Sequence, residues 1–160
     1  MKTFLVTVMV GLAAFVFFSN GAEDAAGVKA DLAQLQGEWT MVSGSADGTP
    51  MPDLMLPNSK RVCKGNETTI TVGGQLFMRA KFVLDPSKTP KTIDYEMIDG
   101  PTKGSRQYGI YELKGGTVRF CFASPGAPRP ADFSTRAGDG RTISVWKHAQ
   151  PPAGAAAATK

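Results

Sequence analysis

From Leu76 to Leu84 every second residue is apolar: Leu76, Met78, Ala80, Phe82 and Leu84, with Arg79 and Lys81 among the residues between them. A period of two marks a strand with one face buried and the other in water. The period returns further along. Ile93, Tyr95 and Met97 alternate with Asp94 and Glu96, Tyr111 and Leu113 flank Glu112, and Val118, Phe120 and Phe122 alternate with Arg119 and Cys121. Shorter runs at 38–43, 61–64, 68–72 and 142–148 bring the number of predicted strands to about eight. Turn residues separate them: Gly65-Asn66, the Asp85-Pro86-Ser87-Lys88-Thr89-Pro90 stretch, Gly100-Pro101, Gly115-Gly116 and Gly138-Asp139-Gly140. Proline cannot continue a ladder, and Asp85 is placed to bond the backbone of its turn.

Helix signals are sparse. Asp31 to Gly37 predicts one helical turn, with Asp31 as N-cap, Gly37 as stop, and Leu32 and Leu35 on one face. Sequential hairpins with little helix predict an all-β, eight-stranded up-and-down barrel with a short N-terminal helical turn. The predicted inward set is Trp39, Met41, Leu76, Met78, Phe82, Leu84, Ile93, Tyr95, Met97, Tyr111, Leu113, Val118, Phe120, Phe122, Ile143 and Val145. The predicted outer face carries Phe77, Val83, Ile98, Tyr108, Ile110 and Trp146. Apolar walls with two phenols suit a small lipophilic ligand. The candidate lining is Trp39, Met78, Phe82, Tyr95, Met97, Tyr111, Phe120 and Phe122. Equally, the same side chains can simply fill the barrel.

The ends of the chain change the picture of where this barrel works. Lys2, an uncharged apolar run at 4–18, and the small residues Ser19, Gly21 and Ala22 form the three-part pattern of a secretory signal. That run is shorter than the roughly 20 residues that span a bilayer. The expected organisation is a signal peptide at 1–21, a flexible leader at 22–30, the barrel at 31–148, and a disordered Ala/Pro-rich tail at 149–160. The expected location is extracytoplasmic, periplasmic or secreted, with no stable membrane insertion after cleavage. The net charge of +4 is interspersed, so nucleic acid is not expected as a partner.

Candidate chemistry is thin. His148 is the one histidine, which makes a zinc-hydrolase cluster or a Ser-His-Asp triad a poor fit. It reads as a surface residue ahead of the tail. Asp94, Glu96 and Asp99 are the densest carboxylates, and they read as solvated surface charge. Asn66-Glu67-Thr68 fits an N-glycosylation acceptor. Cys63 and Cys121 leave two readings open, a disulfide that export permits or two unpaired thiols. Strand parity turns Cys121 away from Phe120 and Phe122. No catalytic residue, metal site or cofactor is expected.

Two resemblances add to this. Gly37-Glu38-Trp39, after a helical turn and opening the first strand, is similar to the Gly-x-Trp signature of lipocalins. That resemblance implies a tryptophan closing the barrel floor under a basic residue of the last strand, here Arg141 or Lys147. More of the chain, residues 35–148, resembles an uncharacterised secreted domain family abundant in Planctomycetes and Verrucomicrobia. The matching elements include Leu35-Gln36-Gly37-Glu38-Trp39, Asp47-Gly48, Leu84-Asp85-Pro86-Ser87-Lys88, Gly109-Ile110-Tyr111-Glu112-Leu113, Cys121 and Arg129-Pro130. The chain departs from that family's pattern at Cys63 and in its tail. The resemblance implies a lipocalin-like barrel and no assigned activity. The first expectation for function is therefore non-enzymatic binding of a small apolar or amphipathic ligand. The second is a structural or interaction role with an envelope protein, and the third a hydrolytic enzyme.

Overall fold

In the computed structural model the described residues are 20–149. The signal pattern up to residue 19 and the tail from residue 150 lie outside them. One helix, α1 (Asn20–Leu35), precedes nine strands. These are β1 (Gly37–Ala46), β2 (Thr49–Pro50), β3 (Ser59–Lys64), β4 (Glu67–Val72), β5 (Gln75–Asp85), β6 (Lys91–Asp99), β7 (Arg106–Lys114), β8 (Thr117–Phe122) and β9 (Thr142–His148). From β3 onward each strand pairs antiparallel with the next, and β1 pairs with both β3 and β9. The two-residue β2 is only a hairpin partner for the end of β1. The wall is thus a closed, eight-stranded antiparallel barrel, the up-and-down architecture expected from the strand pattern and consistent with the lipocalin-like fold that the resemblance implies. Closure removes the unpaired edges that an open sheet of this length would expose.

The helix is longer than the single turn expected, and it takes in the whole of the segment 22–30 read as a leader. Alanines favour it, Glu23 stands in its first turn, and Gly37 at φ 100° ends it. Gln36 ties that end to the β3–β4 turn: its Nε2 donates to Leu32 O and Gly65 O, and its Oε1 accepts from Gly65 N. The helix presents Asp31 and Leu35 to the barrel. The Asp31 Oδ2 accepts from Lys91 Nζ and Tyr111 Oη, both at 2.7 Å. Burial pushes the Tyr111 phenol up, and its hydrogen bond to Asp31 adds to this. These contacts seat α1 against one end of the barrel.

Residues 123–141, the proline-rich stretch and the turns after it, fold back over the outside of β7 and β8. Arg129 Nη1 reaches Asp94 Oδ1 at 2.6 Å and Gly109 O at 2.7 Å. Arg119 stacks on Phe133 and pairs with Glu112. At the far end, Asp47 Oδ1 accepts from Gly138 N and Gly140 N, and Gly48 N donates to Thr135 Oγ1. A side chain at residue 48 would strike Ala137 N at 2.4 Å, so the Asp47-Gly48 turn docks only with glycine there. This cover explains why Ile110, on the outer face, is 1% exposed.

The expected strand faces hold for β6, β7 and β8 and fail at two places. In β9 the inward residues are Ser144 and Trp146, and Ile143 and Val145 face out. Directly opposed residues share a face, and Trp146 stands opposite Met41 and Val118. Hydrophobicity misled here because Ile143 lies opposite Cys121 on the outer wall under residues 123–141. Leu76 is exposed instead of inward, because Ile70 opposes Met78 while Thr71 opposes Leu76, a bulge that reverses the alternation at Phe77.

The cysteines form no bridge, which corrects the disulfide reading. Cys63 faces into the barrel from β3, with its thiol 3.5 Å from Thr68 Oγ1. Cys121 faces out from β8 beneath residues 123–141, with Ser134 O at 3.8 Å. They lie on opposite sides of the wall. Burial pushes the Cys121 thiol up, so at neutral pH it stays protonated and a poor nucleophile. In the native protein a thiol reagent should modify neither cysteine within minutes, and both should react in denaturant. Rapid native labelling of Cys121 would mean that its cover lifts.

Candidate functional site

The barrel is packed at one end and hollow at the other. The end that α1 closes is filled by Leu35, Trp39, Phe82, Leu84, Ile93, Tyr111, Val118 and Phe120, all buried. Trp39 donates from Nε1 to Leu35 O at 2.9 Å. The basic residue over it is neither Arg141 nor Lys147. Arg141 faces Asp132 outside the barrel and Lys147 is exposed. Instead His148 packs edge-on to Trp39, ring centroids 4.5 Å apart, with Nε2 2.8 Å from Gln36 O. His148 is thus part of the floor, not a surface residue ahead of the tail.

At the opposite end a cavity of about 290 Å³ enters the barrel. It is lined by Ile70, Val72, Phe122 and Trp146 and by Met41, Met51, Met55, Met78 and Met97. Those five are all the methionines among the described residues. Unbranched thioethers adapt to ligand shape better than branched side chains do. Met51 reaches in because residue 44 has no side chain: a Cβ there would sit 2.6 Å from the Met51 sulfur. At the lip, Met55 and Phe77 line the opening, and Phe77 is 53% exposed. Leu54 and Leu76 beside them are also exposed.

The boundary between the packed and hollow halves is Arg61. It points inward from β3, is 2% exposed, and lines the cavity. Among the described residues no carboxylate pairs with it. Its guanidinium lies over the Phe120 ring at 4.4 Å and the Trp146 ring at 4.6 Å. Nη1 donates to Tyr95 Oη at 2.6 Å and to Thr68 Oγ1 at 3.2 Å, while Nε has no partner. Tyr95 packs against Phe122 with the rings tilted and their centroids 4.2 Å apart, and Phe122 has room to do so because Gly109 opposes it. Burial pushes the Tyr95 phenol up, against the pull of Arg61, so it remains protonated.

Of the lining expected from sequence, Met78, Tyr95, Met97 and Phe122 meet at the cavity. Trp39, Phe82, Tyr111 and Phe120 do not; they belong to the packed end. Arg61 was missed. Its signal was parity: Lys60, Val62 and Lys64 share one face of β3, and two lysines cannot both point into a core, so Ser59, Arg61 and Cys63 must. The acidic residues lie elsewhere, Asp94 on the outer wall against Arg129 and Glu96 exposed. The six side chains expected on the outer face form no common patch: Trp146 lies inside and Ile110 is covered. Thr68 of the glycosylation tripeptide is fully buried and bonded to Arg61. Comparison with protein-family models, curated proteins and solved structures finds no match.

Proposed function

We propose that this chain is a non-enzymatic, exported binder of a small amphipathic molecule, held in the hollow half of its barrel. The observation that carries the reading is the cavity itself, an apolar chamber of about 290 Å³ with a few polar groups at its inner end. Small-molecule sites have this composition, apolar walls with a few placed polar groups, and volumes from roughly 300 Å³ upward. The chamber is at the small end of that range, which favours a short or medium chain over a bulky polycycle. The exposed Phe77, with Met55 beside the opening, gives an apolar approach to it. Export rests on the three-part pattern of residues 1–21. On this reading the chain belongs with the secreted family that residues 35–148 resemble.

Native mass spectrometry of protein purified without denaturant tests the proposal. A non-covalent adduct of small mass, lost on unfolding, is the expected result. A bare chain that also takes up no added decanol would contradict it.

A further inference from the structure

We infer that the cavity selects an anionic amphiphile, whose charged head is received by Arg61 and Tyr95 while its apolar chain lies among the methionines towards the mouth. The inference rests on the ligand-binding reading above and narrows it to a class of ligand.

A charge withdrawn from water is expensive unless paired, and the usual compensation for a guanidinium is a carboxylate. Arg61 is buried to 2% exposure with no carboxylate beside it among the described residues. Two aromatic faces and two neutral oxygens are what it has instead. Those contacts hold the guanidinium in place without neutralising it.

The donors then point the same way. A guanidinium only donates, so in the Arg61–Tyr95 bond the phenol oxygen is the acceptor and its own proton is left over. Likewise Ser144 Oγ accepts from Trp146 Nε1, which leaves the Ser144 hydroxyl proton over. Among the described residues each of these oxygens is seen only as an acceptor, and Arg61 Nε has no partner either. Arg61, Tyr95 and Ser144 all line the one cavity. The inner end of an apolar chamber is therefore rich in donors and carries a positive charge. Its complement is a head with several acceptor oxygens and a negative charge, a carboxylate or a phosphate monoester. Charge-assisted hydrogen bonds of this type are the strong ones.

The test compares ligands that share a chain and differ in the head. Decanoate, decyl phosphate, decanol and decylammonium are titrated into the protein at pH about 7.5, where the acids are ionised, and followed by the fluorescence of Trp146 at the cavity wall. The expected result is that at least one anion binds about 10- to 100-fold more tightly than decanol, with decylammonium weakest. Which anion binds better identifies the head. Arg61→Met should abolish that preference, so that neither anion binds more tightly than decanol. Tyr95→Phe, which keeps the ring against Phe122, should reduce the preference by a smaller factor than Arg61→Met does. Equal binding of decanol and both anions would overturn the inference and leave the ligand-binding reading standing. Absence of binding by all four would overturn both. The comparison on the unaltered protein decides the matter even if a variant fails to fold.

Discussion

Trp39→Ala should lower the free energy of unfolding by about 4 kcal/mol, within the range for removing a buried large aromatic. Trp39 is 1% exposed and stands where α1 hands over to β1. Its loss would open a void beside Leu35 and His148, and free Leu35 O at the helix end, where a buried carbonyl needs a donor. Small domains have only about 5–15 kcal/mol in all, so a urea titration should show the midpoint fall by a large fraction. Trp39→Phe keeps most of the volume and loses the indole N–H, and should cost about 1–2 kcal/mol. Because Trp39 lies in the packed half, neither change should alter ligand affinity per folded molecule. If Trp39→Ala weakened ligand binding per folded molecule, the cavity would have to extend to the floor.

Arg61→Met is expected to do the opposite. Replacing a buried charge that has no carboxylate partner with an apolar side chain of similar length removes its desolvation cost, so the change is expected to be neutral or stabilising. Methionine suits the place, since Met41 and Met78 line the same cavity. Part of the gain is offset because Tyr95 and Thr68 lose a donor. The expected net effect is an unfolding midpoint equal to or above that of the parent, together with loss of anion preference. A residue kept for stability could not give that pair of results. A drop of several kcal/mol in the unliganded protein would mean that Arg61 organises the core, through its stacking on Phe120 and Trp146, and is not held there for a ligand.

How much of this was legible in the sequence depends on which faces the polar residues marked. In β5 and β6, Arg79, Lys81, Asp94 and Glu96 fixed the outer face, and the inward Met78, Phe82, Tyr95 and Met97 followed. In β9 the outer face is itself partly apolar, because residues 123–141 cover it, and parity inverted. Cys121 and Ile110 were correctly turned outward, yet both are buried, since a cover from 123–141 leaves no mark in the period of two. Position along the barrel axis was not legible at all. Phe120 and Phe122 are two residues apart on one strand, and one fills the packed half while the other walls the cavity. Arg61 was hidden for a simpler reason: a charged residue in a strand is ordinarily read as outward, and only the lysines at 60 and 64 argue otherwise.

The methionines offer the most direct test that the hollow half binds a ligand. Each of Met41, Met51, Met55, Met78 and Met97 lines the cavity. In a methyl-resolved ¹³C spectrum of the protein, titration with decanoate should shift these five methyl signals together and saturably, at one ligand per chain. Signals that stay in place up to the solubility limit of both decanoate and decanol would show a barrel closed to ligands, and would contradict the account.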